Sequence, residues 1–150
     1  MNDNVVELHK RPRVTILPVL EEDFDTFLGL GMEMIAPAVA RQLHNVSMLD
    51  VENDIRNGGA VMWLVHIEDT PVAAITTCVV KHPRRQNLKI EFIGGSRMKE
   101  WIDEGIGFLA NIAKTAGLDA LEADGRKGFE KISQGVPFNP IYTHYEMELS

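Results

Sequence analysis

An apolar run at residues 90–93, interrupted by Glu91, passes through Gly94-Gly95 and Ser96-Arg97 to Met98, where a long helical pattern begins. A strand that turns on glycine into a helix presents unpaired backbone N–H groups at the helix start, and such a start attracts anions. The N–H groups of residues 94–98 would face the anion, with Phe92 and Ile93 beside it. Arg97 would add a charge-assisted hydrogen bond. The same residues also read as a turn that needs glycine for its dihedrals, with Ser96 capping the helix. Glu91 is a candidate general base if it faces a cleft, and otherwise the polar face of an alternating strand.

Near the C-terminus, "YTHYEMEL" alternates, so Tyr145, Met147 and Leu149 share one face and His144, Glu146 and Glu148 the other. Tyr145 then belongs to the core, and Tyr142 is the tyrosine left over as a candidate proton donor. The five histidines have no ligand spacing, so no metal site is expected. Cys78 lies in an apolar stretch and reads as a buried structural thiol.

These residues need elements to position them. "VTILPVL" (13–19) predicts a strand, at an edge or ending at Pro18, which cannot donate to a ladder. Residues 21–35 carry helical spacing, which Pro37 should end or kink. Ser47 and Asp50 predict a capped second helix, closed by Gly58-Gly59. Residues 61–67, 72–80 and 88–93 predict three strands, the first apolar enough to be covered on both faces. A stripe from Met98 through Trp101, Ile102, Gly105, Leu109 and Ala113 predicts a helix over 96–116, with Gly105 and Gly107 in its interior. A short strand (118–123), a short helix (126–134) and an amphipathic last strand (142–149) complete the chain. The order β-α-α-β-β-β-α-β-α-β implies a mixed α/β (α+β) domain of about six strands and four helices.

Composition agrees with one such domain over residues 1–150. Hydrophobic residues make up 45% and charged residues 25%, and the formal net charge is −7. That charge argues against a nucleic acid or an anionic membrane as partner. The lone cysteine suits a reducing, cytoplasmic setting, and no stretch approaches the roughly 20 apolar residues of a membrane span.

The element order, carried by "KIEFIGGSRMKEWIDEGIGFLANIAKTAGLDALEADGRKGFEKI", resembles the GNAT-type N-acetyltransferase superfamily. The segment "ADGRKGFEKI" is also similar to a Gly-Arg-x-Gly-aromatic pattern in short, divergent acetyltransferase-like proteins of phages and prophages. The resemblance implies a central mixed sheet and acetyl-CoA as acyl donor, bound at residues 92–98 with its pyrophosphate at the 94–98 turn. It implies an amine acceptor, with Glu91 as base and Tyr142 as a spare acid. Aligned on Gly135, the positions where relatives keep an asparagine and an acidic tyrosine hold Asp124 and Lys131. The alternative it implies is a catalytically degenerate, structural or assembly protein, for example within a phage virion. A helix start contributes only about 0.3–1 kcal/mol, whereas micromolar affinity needs about 8 kcal/mol. A groove between strands 88–93 and 118–123 must therefore hold most of any coenzyme.

Overall fold

The computed structural model describes residues 12–125, 129–132 and 138–149. Its centre is a five-stranded sheet in the order β1-β2-β3-β4-β5. The strands are β1 (Val14–Pro18), β2 (Val61–Ile67), β3 (Thr70–Lys81), β4 (Gln86–Gly95) and β5 (Ala120–Ala123). The first four pair antiparallel, and β5 runs parallel to β4. Among the described residues three α-helices cover the sheet: α1 (Gly29–Ala40), α2 (Met48–Arg56) and α3 (Met98–Thr115). None is long and apolar enough to cross a membrane.

Two cores form because both faces of the sheet are covered. Alternate residues of β2 explain its apolar run: Met62 and Leu64 join α1 and α2, whereas Trp63, Val65 and Ile67 join α3. On the first face Ile35 and Val39 of α1 meet Val51 and Ile55 of α2. On the second, Trp101, Ile106 and Leu109 of α3 are fully buried against the sheet. Gly105 lies directly beneath the Trp101 ring, so a side chain there would push the ring away. The glycine's cost in helix propensity is thus offset by close packing.

Several local readings hold. The Ser47 hydroxyl accepts from the Asp50 N–H at 3.1 Å, and the Asp50 carboxylate accepts from the Ser47 N–H at 2.9 Å, which is the reciprocal cap. Pro18 ends the edge strand β1. Others change. Pro37 sits inside α1 rather than ending it, and the helix continues to Ala40. The missing proline N–H costs a single bond one turn from the end, which the burial of Ile35 and Val39 on either side outweighs.

Among the described residues the sheet has five strands, not six. Residues 142–149 form no strand, and Tyr142, Tyr145, Met147 and Leu149 are all exposed. Alternation states which side chains would share a face, but a strand also needs a partner edge, and none receives this segment. Tyr145 is therefore not core. Phe138 stacks edge-on against Phe129 at 5.3 Å, and Asn45 donates to Glu146 at 3.4 Å. Of the expected helix at 126–134, residues 129–131 form one 3-10 turn, and 126–128 and 133–137 lie outside the described residues.

Candidate functional site

β5 pairs with β4 only along residues 87–90. Beyond that, β5 ends at Ala123 while β4 continues to Gly95, so the two strands part. Between them opens a cavity of about 650 Å³. Ile90, Glu91, Phe92 and Ile93 line one wall, Ala123, Asp124 and Gly125 the other, and Met98 stands at the start of α3. Ala38, Arg41 and Gln42 at the end of α1 complete the rim.

Glu91 owes its place to an irregularity in the sheet. Thr76 pairs with Phe92 and Thr77 with Ile90, so β4 spends one residue more than β3. Glu91 is that extra residue, the centre of a β-bulge. Bulges re-aim a side chain and strip one N–H from the ladder. Here the N–H of Phe92 donates to the Thr76 hydroxyl at 3.1 Å, in the buried interior.

A second cavity of about 460 Å³ meets the first at Gln42, Glu91 and Phe92. Asp50, Asp54 and Asn57 of the α2 region line it, over a floor of Val51 and Phe92. Asp50 and Asp54 are four residues apart on α2, which puts both carboxylates on one helical face. The cap at Ser47 holds the Asp50 carboxyl below its usual value. Burial pushes the Glu91 carboxyl up. A hydrogen bond from the Cys78 thiol opposes that rise, the Asp54 charge adds to it, and the Lys89 charge opposes it. Burial, reinforced by Glu91, lifts the Cys78 thiol to about 12, so it stays protonated beside the carboxylate.

The glycine turn is built more tightly than its sequence announces. A side chain on Gly94 would strike the Met34 carbonyl of α1, and one on Gly95 would strike Val72 and Ala73 of β3. Gly95 also holds φ +121°, a region that favours glycine. Ser96 is not the helix cap: its N–H and hydroxyl both reach the Val72 carbonyl, at 2.8 and 3.3 Å. The cap residue is Arg97, at φ +58°. Its guanidinium is already in a two-pronged pair with Glu100, at 2.6 and 2.7 Å. The Glu100 N–H returns to the Arg97 carbonyl at 2.9 Å, so the orphan N–H groups of the helix start are those of Met98 and Lys99.

Among the residues singled out from sequence, Glu91, Phe92, Ile93 and Met98 line the first cavity. Gly94, Gly95, Ser96 and Arg97 form the turn behind it, and Tyr142 stands exposed away from its lining. Lys131 is exposed, and Asp124 is ion-paired with Lys89 at 2.8 Å. Sequence reading missed Arg41, Gln42, Asp54 and Thr76. Only the Asp50/Asp54 spacing carried a signal, and the capping role of Asp50 concealed it.

No family model and no curated protein matches the sequence. Solved structures do match. A ribosomal-protein-alanine N-acetyltransferase from Brucella melitensis biovar Abortus 2308 superposes with TM-score 0.64 at 13% identity, over 92% of this chain and 100% of that one. A predicted acetyltransferase with acetyl-CoA from Clostridium acetobutylicum gives TM-score 0.62 at 14% identity, over 91% and 96%. A GNAT family acetyltransferase from Staphylococcus aureus gives 0.61 at 11%, over 91% and 98%. The fold is that of the GNAT acetyltransferases. At these identities the likeness is one of fold, and the site argument rests on this chain's own residues.

Proposed function

We propose that this protein transfers an acetyl group from acetyl-CoA to an amine. The observation that carries the reading is the bulged Glu91 at the junction of two cavities, in a GNAT-like fold. The first cavity suits a coenzyme arm: it is a slot between parted strands, walled by Ile90, Phe92, Ile93, Met98 and Ala123. Arg41 at its rim and the N–H groups of Met98 and Lys99 would meet the coenzyme's phosphates. When bound there, acetyl-CoA supplies an acyl carbon activated as a thioester.

The second cavity suits the acceptor. Asp50, Asp54 and Glu91 give it a negative field that draws a cationic amine. The amine must lose its proton to attack, and Glu91 stands where the cavities meet to accept it, directly or through water. A raised carboxyl makes a stronger base than an ordinary one. The leaving thiolate, with a reference pKa of about 8.5, departs near neutral pH without a dedicated acid. That fits Lys131 at the position where relatives keep a tyrosine.

Titration calorimetry with coenzyme A tests the donor site. Met98→Glu separates binding from folding, because an acid at a helix start favours the helix but repels an anion. Its expected effect is an affinity about 5–30-fold weaker, equivalent to about 1–2 kcal/mol, in a folded protein. Thiol release from acetyl-CoA with a panel of monoamines, diamines and lysine peptides tests the reaction, and dications should lead. No binding by the parent at millimolar coenzyme A overturns the proposal in favour of a non-catalytic, assembly role.

A further inference from the structure

Two fully buried hydroxyls flank the register shift that creates the bulge. Thr77 accepts from the Trp63 indole N–H at 2.8 Å, a side-chain bond on the α3 face. Thr76 instead accepts from the backbone of β4, the Phe92 N–H at 3.1 Å. Phe92 is itself buried in the α1 cluster, where a backbone N–H needs a hydrogen-bond partner. We infer that Thr76 is a positioning residue: its hydroxyl oxygen holds the Phe92 N–H beside the bulge and so locks the bulge that aims Glu91 at the meeting point of the two cavities. The inference rests on the acyl-transfer reading for its catalytic meaning, but not for its geometry.

The bulge cannot simply slip out of the strand. A shift of one residue would reverse the faces of Phe92 and Gly94. Phe92 is packed among α1 side chains, and Gly94 lies against the Met34 carbonyl, where no other residue fits. Loss of the Thr76 acceptor therefore leaves the strand in register but without the side-chain bond to the Phe92 N–H. The backbone at the bulge is then held less firmly, and Glu91 loses its fixed direction. The groups that face Glu91 are Asp54 from α2, Cys78 from β3 and Lys89 from β4, and none of them can hold the backbone in its place.

The test is a carbon-13 carboxyl titration by NMR on the whole chain, with Glu91 assigned through Glu91→Gln. Thr76→Val keeps the shape and removes the acceptor, and Thr76→Ser restores it. The Glu91 midpoint is expected above the ordinary value of about 4.3 in the parent and in Thr76→Ser, and to fall toward it in Thr76→Val. In the thiol-release assay Thr76→Val should lower kcat about 10²-fold with KM little changed, as misplacement of a reacting group does. A folded Thr76→Val with the parent's titration overturns the inference, as does Thr76→Ser behaving like Thr76→Val. Should Thr76→Val not fold, Phe92 amide exchange in the parent decides: protection matching Ile75 and Ile90 is expected, and rapid exchange overturns the role. A parent without turnover but with these titrations would remove the acyl-transfer reading and leave the positioning role standing.

Discussion

The two halves of β4 are one strand under two regimes. Residues 87–90 are hydrogen-bonded to β3 on one side and β5 on the other, and Leu88 and Ile90 are buried against α3. Residues 91–95 have only β3 beside them and carry the bulge, and residues 91–93 line a cavity where β5 has turned away. The inner half spends its backbone and side chains on stability. The outer half leaves an edge without a strand beside it and places a half-buried carboxyl there, both of which cost stability. A fold can carry that cost when the neighbouring half of the same strand is fully paired.

The largest expected effect separates the halves by activity. Glu91→Gln should cut acyl transfer about 10²–10⁴-fold with the fold intact, measured by thiol release. Turnover unchanged by Glu91→Gln would strip the outer half of its catalytic meaning. The inner half should respond in the opposite way. Leu109→Ala, in the cluster beneath Leu88 and Ile90, should cost about 2–5 kcal/mol in denaturant unfolding, as a core truncation. A cost under about half a kcal/mol would show that α3 is not anchored there.

At the far end of the outer half, Gly95→Ala should cost about 1–3 kcal/mol, because φ is +121° and Ala73 lies within contact of the new methyl. Of the two readings of Gly94-Gly95, these contacts support the turn that needs glycine for its dihedrals. Full stability combined with lost coenzyme binding would return the glycine to the ligand.

The smallest effects concern two glutamates of opposite sign. Burial pushes Glu91 up, so its folded state holds the proton more tightly than the unfolded chain. Its contribution is present below the ordinary carboxylate value and lost as pH rises through the raised one. Glu91→Gln should therefore stabilise the protein slightly at pH 8 and not at pH 4. Burial alone would raise Glu122 beside the inner half. Hydrogen bonds from His82 at 2.6 Å and Asn87 at 2.9 Å, with the His82 and Lys89 charges, outweigh burial and hold it low. Its contribution is present above the ordinary value and lost as pH falls through the lowered one. Glu122→Gln should cost under about 1 kcal/mol at pH 7, and the cost should vanish in acid. Paired melting curves at the two pH values check both, and equal slopes for the two variants would erase the contrast.

Elements with strong local periodicity are legible in the sequence. The apolar run of β2 bounds it at Val61 and Ile67, and two residue types three positions apart announce the Ser47–Asp50 cap. The α3 stripe and its interior Gly105 follow from a period near 3.6. The parting of β4 and β5 is expected as a groove between them, but only through the family resemblance. The bulge is not legible at all, because a register shift belongs to two strands at once. The last strand fails for a related reason: "YTHYEMEL" alternates correctly but contains no information about an edge to receive it.

What the sequence determined by itself was the set of elements with their own hydrogen-bond ladders or caps, and the apolar faces they must bury. These are short-range properties, decided by spacing along one segment. Only the tertiary structure decided why Gly94 and Gly95 are glycines, that Ser96 is tied to Val72, and that Arg97 is paired to Glu100. It also decided that Glu91 stands between two cavities, where burial pushes its carboxyl up. Each of those facts depends on atoms from segments far apart in the chain, whose approach is set by the packing of α1 and α3 on opposite faces of one sheet.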